Sequence, residues 1–319
     1  MNSKIFKLCI TAVGLVLAIS IVSAQGPGGR QSNLEFDDNV IQVDLDISEY
    51  TPYGDALADQ VAAGDGAGID GTFRNSGVVI DEENGLYYAV NGVHPINRGD
   101  YTSYYPKSIV AASLETDEIV TAYSFDGFNN HEVDMEALTF AGEDTSILYV
   151  GDEYNFIYEL DLDTGEITRE WDLADIGVVT SADQGIEALT YSDATGYFYA
   201  GIQGTQEILV IDLGLDTDLT DVELIDTWDA GTSPSGLFAH ADGQIYMTTV
   251  DADQYILRFD IADGTLNCAI LIPEALNVAR PDGIYITADD TTMYLADSQG
   301  PLFDGFSMFE IVWTDPCEA

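Results

Sequence analysis

One short phrase built around a tyrosine returns five times along this chain: GLYYAVNG (85 to 92), SILYVGDE (146 to 153), GYFYAGIQ (196 to 203), GQIYMTTV (243 to 250) and TTMYLADS (291 to 298). The anchors Tyr88, Tyr149, Tyr199, Tyr246 and Tyr294 are separated by 61, 50, 47 and 48 positions. Periods of that size belong to stacked supersecondary units, four-stranded propeller blades among them. Each anchor follows a second phrase, NSGVVI, MEALTF, IEALTY, PSGLFA or PDGIYI, and precedes a third strand-like run such as FIYELDLDTGEI or YILRFDIADGTL. The Asp-Thr-Gly and Asp-Gly steps after several third runs are hairpin turns leading to a fourth strand. The expected fold is therefore all-β, a five-bladed β-propeller over residues 73 to 319.

The fifth unit runs out of chain after its third strand. LEFDDNVIQVDLDI (34 to 47) supplies an orphan strand that completes it, so that both chain ends close the ring and no edge is left open. Residues 48 to 72 read as a linker with a helical turn or two. The alternative, six blades, needs four strands within 25 to 72, where only one is apparent. Gly66-Ala67-Gly68-Ile69-Asp70-Gly71 matches the dinucleotide fingerprint in letters only, because no strand leads in and no helix leads out.

Residues 1 to 24 carry a basic start (Lys4, Lys7), an apolar run and Val22-Ser23-Ala24, the pattern of a secretory leader. A secreted or periplasmic location follows. Beyond the leader the only cysteines are Cys268 and Cys317, an even pair suited to one disulfide in an oxidising compartment. The formal net charge of −48 repels nucleic acid and anionic membrane and argues against both as partners. Hydrophobic content of 46% still suffices for a core, so the acids coat a folded surface. Saline surroundings and diffuse attraction for divalent cations each account for such a coat.

In an antiparallel meander the start of the first strand and the end of the second share one end of the blade. At that mouth of the channel the repeat pairs Ser76 with Asn91, Glu136 with Asp152, Glu187 with Gln203, Ser235 with Thr249, and Asp282 with Asp297. Glu136, Asp152, Glu187, Asp282 and Asp297 are thus the candidate metal ligands, and Ca2+, which accepts many oxygens in loose geometry, is the expected ion. Solvated acids with no ion are the competing reading.

Four of the scarce bases, Arg74, Arg98, Lys107 and Arg280, map to the same mouth. With Tyr101 and Tyr104 of the long 91 to 107 loop, they are candidate binders of an anionic small molecule or other extracellular ligand by a monomeric protein. His94 and His131 are the candidate general bases, although a lone loop histidine has other uses. His240 reads as structural, and the tyrosine and phenylalanine stripes as packing between blades.

The run VDMEALTFAGEDTSILYVGDEYNFIYELDLDTGEI (133 to 167), echoed at 185 to 201 and 76 to 91, resembles SdiA-regulated propellers and the wider phytase-like group. That resemblance implies calcium bound by Glu136, Glu187 and Asp282, and a calcium-assisted phosphoester or ester hydrolase. A non-catalytic binding propeller with structural calcium is the alternative. Ser76 and Ser235 stand where two acids would be, Ala137 and Ala188 where glycines would be, and the paired-aspartate motif of true phytases is missing from 71 to 80.

Overall fold

Runs such as MEALTF and ILYVGD have almost no polar break, so as strands they must be covered on both faces. A propeller provides that cover, because each blade is sandwiched between two others. The computed structural model describes residues 34–53, 75–91, 108–124, 134–142, 144–180, 184–217, 220–250, 253–278, 280–298 and 307–318.

Two short strands come first, β1 (Ile41–Asp44) and β2 (Tyr50–Tyr53). Blade one is then β3 (Asn75–Asp81), β4 (Leu86–Asn91), β5 (Ser108–Ser113) and β6 (Ile119–Ser124). Blade two is β7 (Met135–Phe140), β8 (Ile147–Asp152), β9 (Phe156–Asp161) and β10 (Glu166–Asp172), and blade three is β11 (Ile186–Ser192), β12 (Tyr197–Ile202), β13 (Glu207–Asp212) and β14 (Glu223–Asp229). Blade four is β15 (Pro234–Ala239), β16 (Gln244–Thr249), β17 (Tyr255–Asp260) and β18 (Leu266–Leu271). The last blade has β19 (Pro281–Ile286), β20 (Thr292–Asp297) and β21 (Ser307–Val312) from the chain's end. Within each blade neighbouring strands pair antiparallel in chain order, and β2 completes blade five beside β21.

The closing strand is therefore N-terminal, but it is β2 and not the 34 to 47 run. Ile41–Asp44 instead lies parallel to β18, as a fifth strand on the outside of blade four. Residues Tyr50–Tyr53 fit blade five because Tyr50 packs edge-on against Phe309 and the Tyr53 hydroxyl donates to Glu310 at 2.8 Å. Pro52 is tolerated there because β2 is the outermost strand and needs no further donor.

Five hydrophobic clusters fill the five gaps between blades. Val78 and Ile80 of β3 face blade five with Tyr294 and Met308, whereas Val79 between them faces blade two with Leu138 and Leu148. Period-2 alternation thus buries both faces of an inner strand. Aromatic contacts cross the same gaps: Tyr88 meets Phe140 and Tyr149 meets Phe198, with ring centroids 5.5 and 5.0 Å apart.

Cys268 of β18 is disulfide-bonded to Cys317, in the single 3-10 turn Pro316–Glu318 that follows β21. Arg258 reinforces the junction by donating to Asp315 at 2.6 Å, and the Tyr246 hydroxyl donates to the same oxygen at 2.7 Å. The chain's end is thereby fastened across from blade five to blade four. Arg169, another base away from the mouth, bonds Glu159 and stacks on Trp171. Among the described residues no helix is long and apolar enough to cross a membrane. The leader at 1 to 24 lies outside them.

Candidate metal centre at the channel mouth

The first strand of every blade carries a register shift at the same place. It falls between Asn75 and Gly77, Met135 and Ala137, Ile186 and Ala188, Pro234 and Gly236, and Pro281 and Gly283. The skipped residues are Ser76, Glu136, Glu187, Ser235 and Asp282, the ring expected at this mouth. A bulged residue leaves the ladder and can be re-aimed, and all five are buried. The residue after each bulge is Gly or Ala because inner strands crowd there: a Cβ on Gly77 would lie 2.5 Å from the Glu136 carbonyl oxygen.

The ring divides into two parts. In the first, Arg280 Nε donates to Asp282 at 2.9 Å and its Nη2 donates to Glu187 at 2.9 Å. Gln203 Nε2 donates to the other Glu187 oxygen. Ser235 separates these two acids around the ring, and its hydroxyl donates to the Pro281 carbonyl at 2.6 Å. Burial pushes Asp282 up to about 7 despite the nearby guanidinium, and the acids around Arg280 raise its pKa.

Among the described residues, the second part has no base of its own. Carboxylate oxygens of Asp134, Glu136 and Glu153, all buried, lie within 4.8 Å of one another. Among the described residues, Glu136 Oε1 and Glu153 Oε2 are buried without a hydrogen-bond partner. Desolvation, then Glu187 and Asp134, raise the Glu136 pKa well above the carboxylate range. Burial first, with Glu187 next, pushes Glu153 up to about 12. Oxygens so crowded and desolvated must hold either protons or a cation. An all-oxygen, all-carboxylate donor set fits a hard divalent ion.

Asp134 and Glu153 were not singled out from the sequence. Both are departures from the repeat. The place of Asp134 is taken by Arg74, Gly185, Ser233 and Arg280 in the other units, and that of Glu153 by Gly92, Gly204, Val250 and Ser298. Gly185 makes room for the site, since a Cβ there would stand 1.9 Å from the Glu153 carbonyl oxygen. The Glu153 amide in turn donates to the Asp134 carbonyl at 2.9 Å.

Of the expected ligands, Glu136 is in this cluster, while Glu187 and Asp282 are engaged by Arg280. Asp152 and Asp297 are fully buried one step further out. Asp152 accepts from the amides of Asp134 and Tyr154, and Asp297 accepts from the Arg280 amide at 2.8 Å. Both brace the backbone entering an inner strand. Arg74, His94, Arg98, Tyr101, Tyr104, Lys107 and His131 lie outside the described residues. His240 sits at the opposite mouth, 2.9 Å from Asp242 and 2.7 Å from Asp290.

Residues 73–224 match a family model described as "Phytase-like: Esterase-like activity of phytase". The match takes in blades one and two and the first three strands of blade three, and with them the Asp134–Glu136–Glu153 cluster. No curated protein matches the chain. Among solved structures, the fold is similar to that of Myxococcus xanthus glutaminyl cyclase, with a TM-score of 0.54 at 14% identity over 86% of this chain and 100% of that one. Kuenenia stuttgartiensis hydrazine synthase aligns with a TM-score of 0.45 at 14% identity, covering 70% and 56% respectively.

Proposed function

We propose that this protein is an exported, calcium-dependent ester hydrolase acting on a phosphoester or related ester at the channel mouth. The observation that carries this reading is the pair of buried oxygens on Glu136 and Glu153, beside Asp134, that have no hydrogen-bond partner among the described residues. The phytase-like match over the same blades supports hydrolysis as the chemistry, and the disulfide is consistent with an oxidising compartment. The likeness to SdiA-regulated propellers belongs to the same reading.

A divalent ion bound there supplies Lewis-acid polarisation of a phosphoryl or carbonyl oxygen and a more acidic bound water. Asp134, Glu136 and Glu153 would hold it. Arg280 is fixed by Glu187 and Asp282, and among the described residues its Nη1 has no hydrogen-bond partner, so it can donate to an anionic ester oxygen. The same pairing favours a second reading, in which calcium only stiffens a binding propeller, because two carboxylates already offset the arginine's charge.

Turnover of p-nitrophenyl phosphate, its diester and p-nitrophenyl acetate, followed with Ca2+ and with chelator, separates the two. Turnover that needs Ca2+ and falls about 100-fold in Glu136→Gln supports hydrolysis, as expected when a lost ligand weakens the hold on the ion that stabilises the transition-state charge. Raised melting temperature with Ca2+ but no turnover leaves the structural reading, and indifference to Ca2+ in both assays removes both.

A further inference from the structure

The opposite mouth of the channel, where the five inner strands end, opens into a cavity of about 370 Å³. That size lies at the small end of ligand sites. The residues that line it include Phe140, Tyr191, Phe238 and Tyr285, one from the end of an inner strand in each of four blades. Phe238 packs between Tyr285 and His240, with centroids 4.8 and 6.0 Å away. The Tyr285 ring is held in place because its hydroxyl donates to Glu82 at 2.9 Å, an acid that also accepts from the Ala288 amide. Glu83 and Asp193 are exposed on the lining, and among the described residues no lysine or arginine contributes to it.

Aromatic faces attract cations through their quadrupoles, more strongly when water is excluded, and carboxylates at the rim add to that attraction. Among the described ionisable side chains of the lining, Asp81, Glu82, Glu83 and Asp193 are acids and the one base, His240, already lies against Asp242 and Asp290, so an anion is opposed, and a neutral apolar molecule would gain nothing from the acids. We infer that this cavity is a second ligand site, taking one small organic cation, a quaternary or protonated amine, against the Phe238–Tyr285 pair. It is separate from the metal centre at the other mouth and does not depend on it.

Choline and its neutral isostere 3,3-dimethylbutan-1-ol test the assignment by titration calorimetry on the whole protein in saturating Ca2+ and 0.3 M NaCl, where diffuse surface attraction is screened. The expected result is saturable binding of one choline per chain, with the alcohol at least about tenfold weaker, the scale of one cation–π contact plus a rim charge. Phe238→Leu, which keeps apolar bulk but removes the ring, and Asp193→Asn, on an exposed residue, should each weaken choline several-fold, while Glu136→Gln should still bind it. Absence of saturable binding, equal binding of the alcohol, or affinity unchanged in both Phe238→Leu and Asp193→Asn would overturn the assignment.

Discussion

Nη2 of Arg280, two residues before the bulge of blade five, donates at 2.9 Å to Oε2 of Glu187, the bulged residue of blade three, across 93 positions of chain. The pair links two blades that are not neighbours in the ring. A single guanidinium thereby offsets two buried carboxylates, Glu187 and Asp282.

Removing the guanidinium strands both acids. Arg280→Met should lower unfolding free energy by about 3 to 5 kcal/mol, the usual cost of breaking a buried pair from one side. Adding Glu187→Gln and Asp282→Asn should restore most of it. Chemical denaturation of the single and triple variants decides this, and equal losses in the two would contradict it.

Glu136→Gln removes one metal ligand and puts a neutral amide where, without metal, the buried carboxyl must hold a proton. Without metal the variant should be at least as stable as the parent. With Ca2+ the parent should gain about 2.7 kcal/mol at a hundredfold excess over Kd, and the variant little. Melting curves with and without chelator give both comparisons.

The apo protein should lose stability as pH rises. Asp282 titrates near 7 in the fold against 3.8 for an ordinary aspartate, and Glu136 and Glu153 are also shifted upward. The folded state then binds more protons than the open chain, so the contribution is fully present below about pH 4; the Asp282 share is lost as pH rises through 7, and the shares of Glu136 and Glu153 go on falling above it. Ca2+ should reverse the trend, stabilising more at pH 8 than at pH 5, because it displaces those protons. Melting temperatures from pH 4 to 8 in chelator and in Ca2+ would show profiles that diverge as pH rises, and parallel ones would refute the proton-or-cation account.

Gly185→Ala should act on the metal centre without touching a carboxylate. Its methyl would meet the Glu153 carbonyl, so a cost of about 1 to 3 kcal/mol is expected from overpacking, with weaker Ca2+ stabilisation besides. Calorimetric Ca2+ titration of the variant tests the second effect independently of the first.

Opening the Cys268–Cys317 bridge, by reduction or by the paired Cys→Ala change, should cost about 2 to 4 kcal/mol. The loss should appear in denaturant midpoints measured with and without reductant.

The blade repeat was readable because burial on both faces leaves five apolar phrases of one length, each with a tyrosine that must pack against the next blade. The cysteine pair was readable by count. The closing strand was not, because YTPY is four residues long and contains proline, and its fit depends on Phe309, Glu310 and Tyr294, more than 240 positions away. The bulges were invisible too: no residue type marks them, and the Gly or Ala that follows each is explained only by the crowding of inner strands. Asp134 and Glu153 were hidden by the repeat itself, since they are places where one unit departs from the others. Comparing units for their differences would have exposed both.

Because β2 joins blade five beside β21, the order of synthesis matters. Tyr50–Tyr53 leaves the ribosome some 250 residues before its partner Ser307–Val312 exists. Until then the nascent chain carries an unmatched strand and an incomplete circle, a condition hazardous if the chain lingers at high concentration.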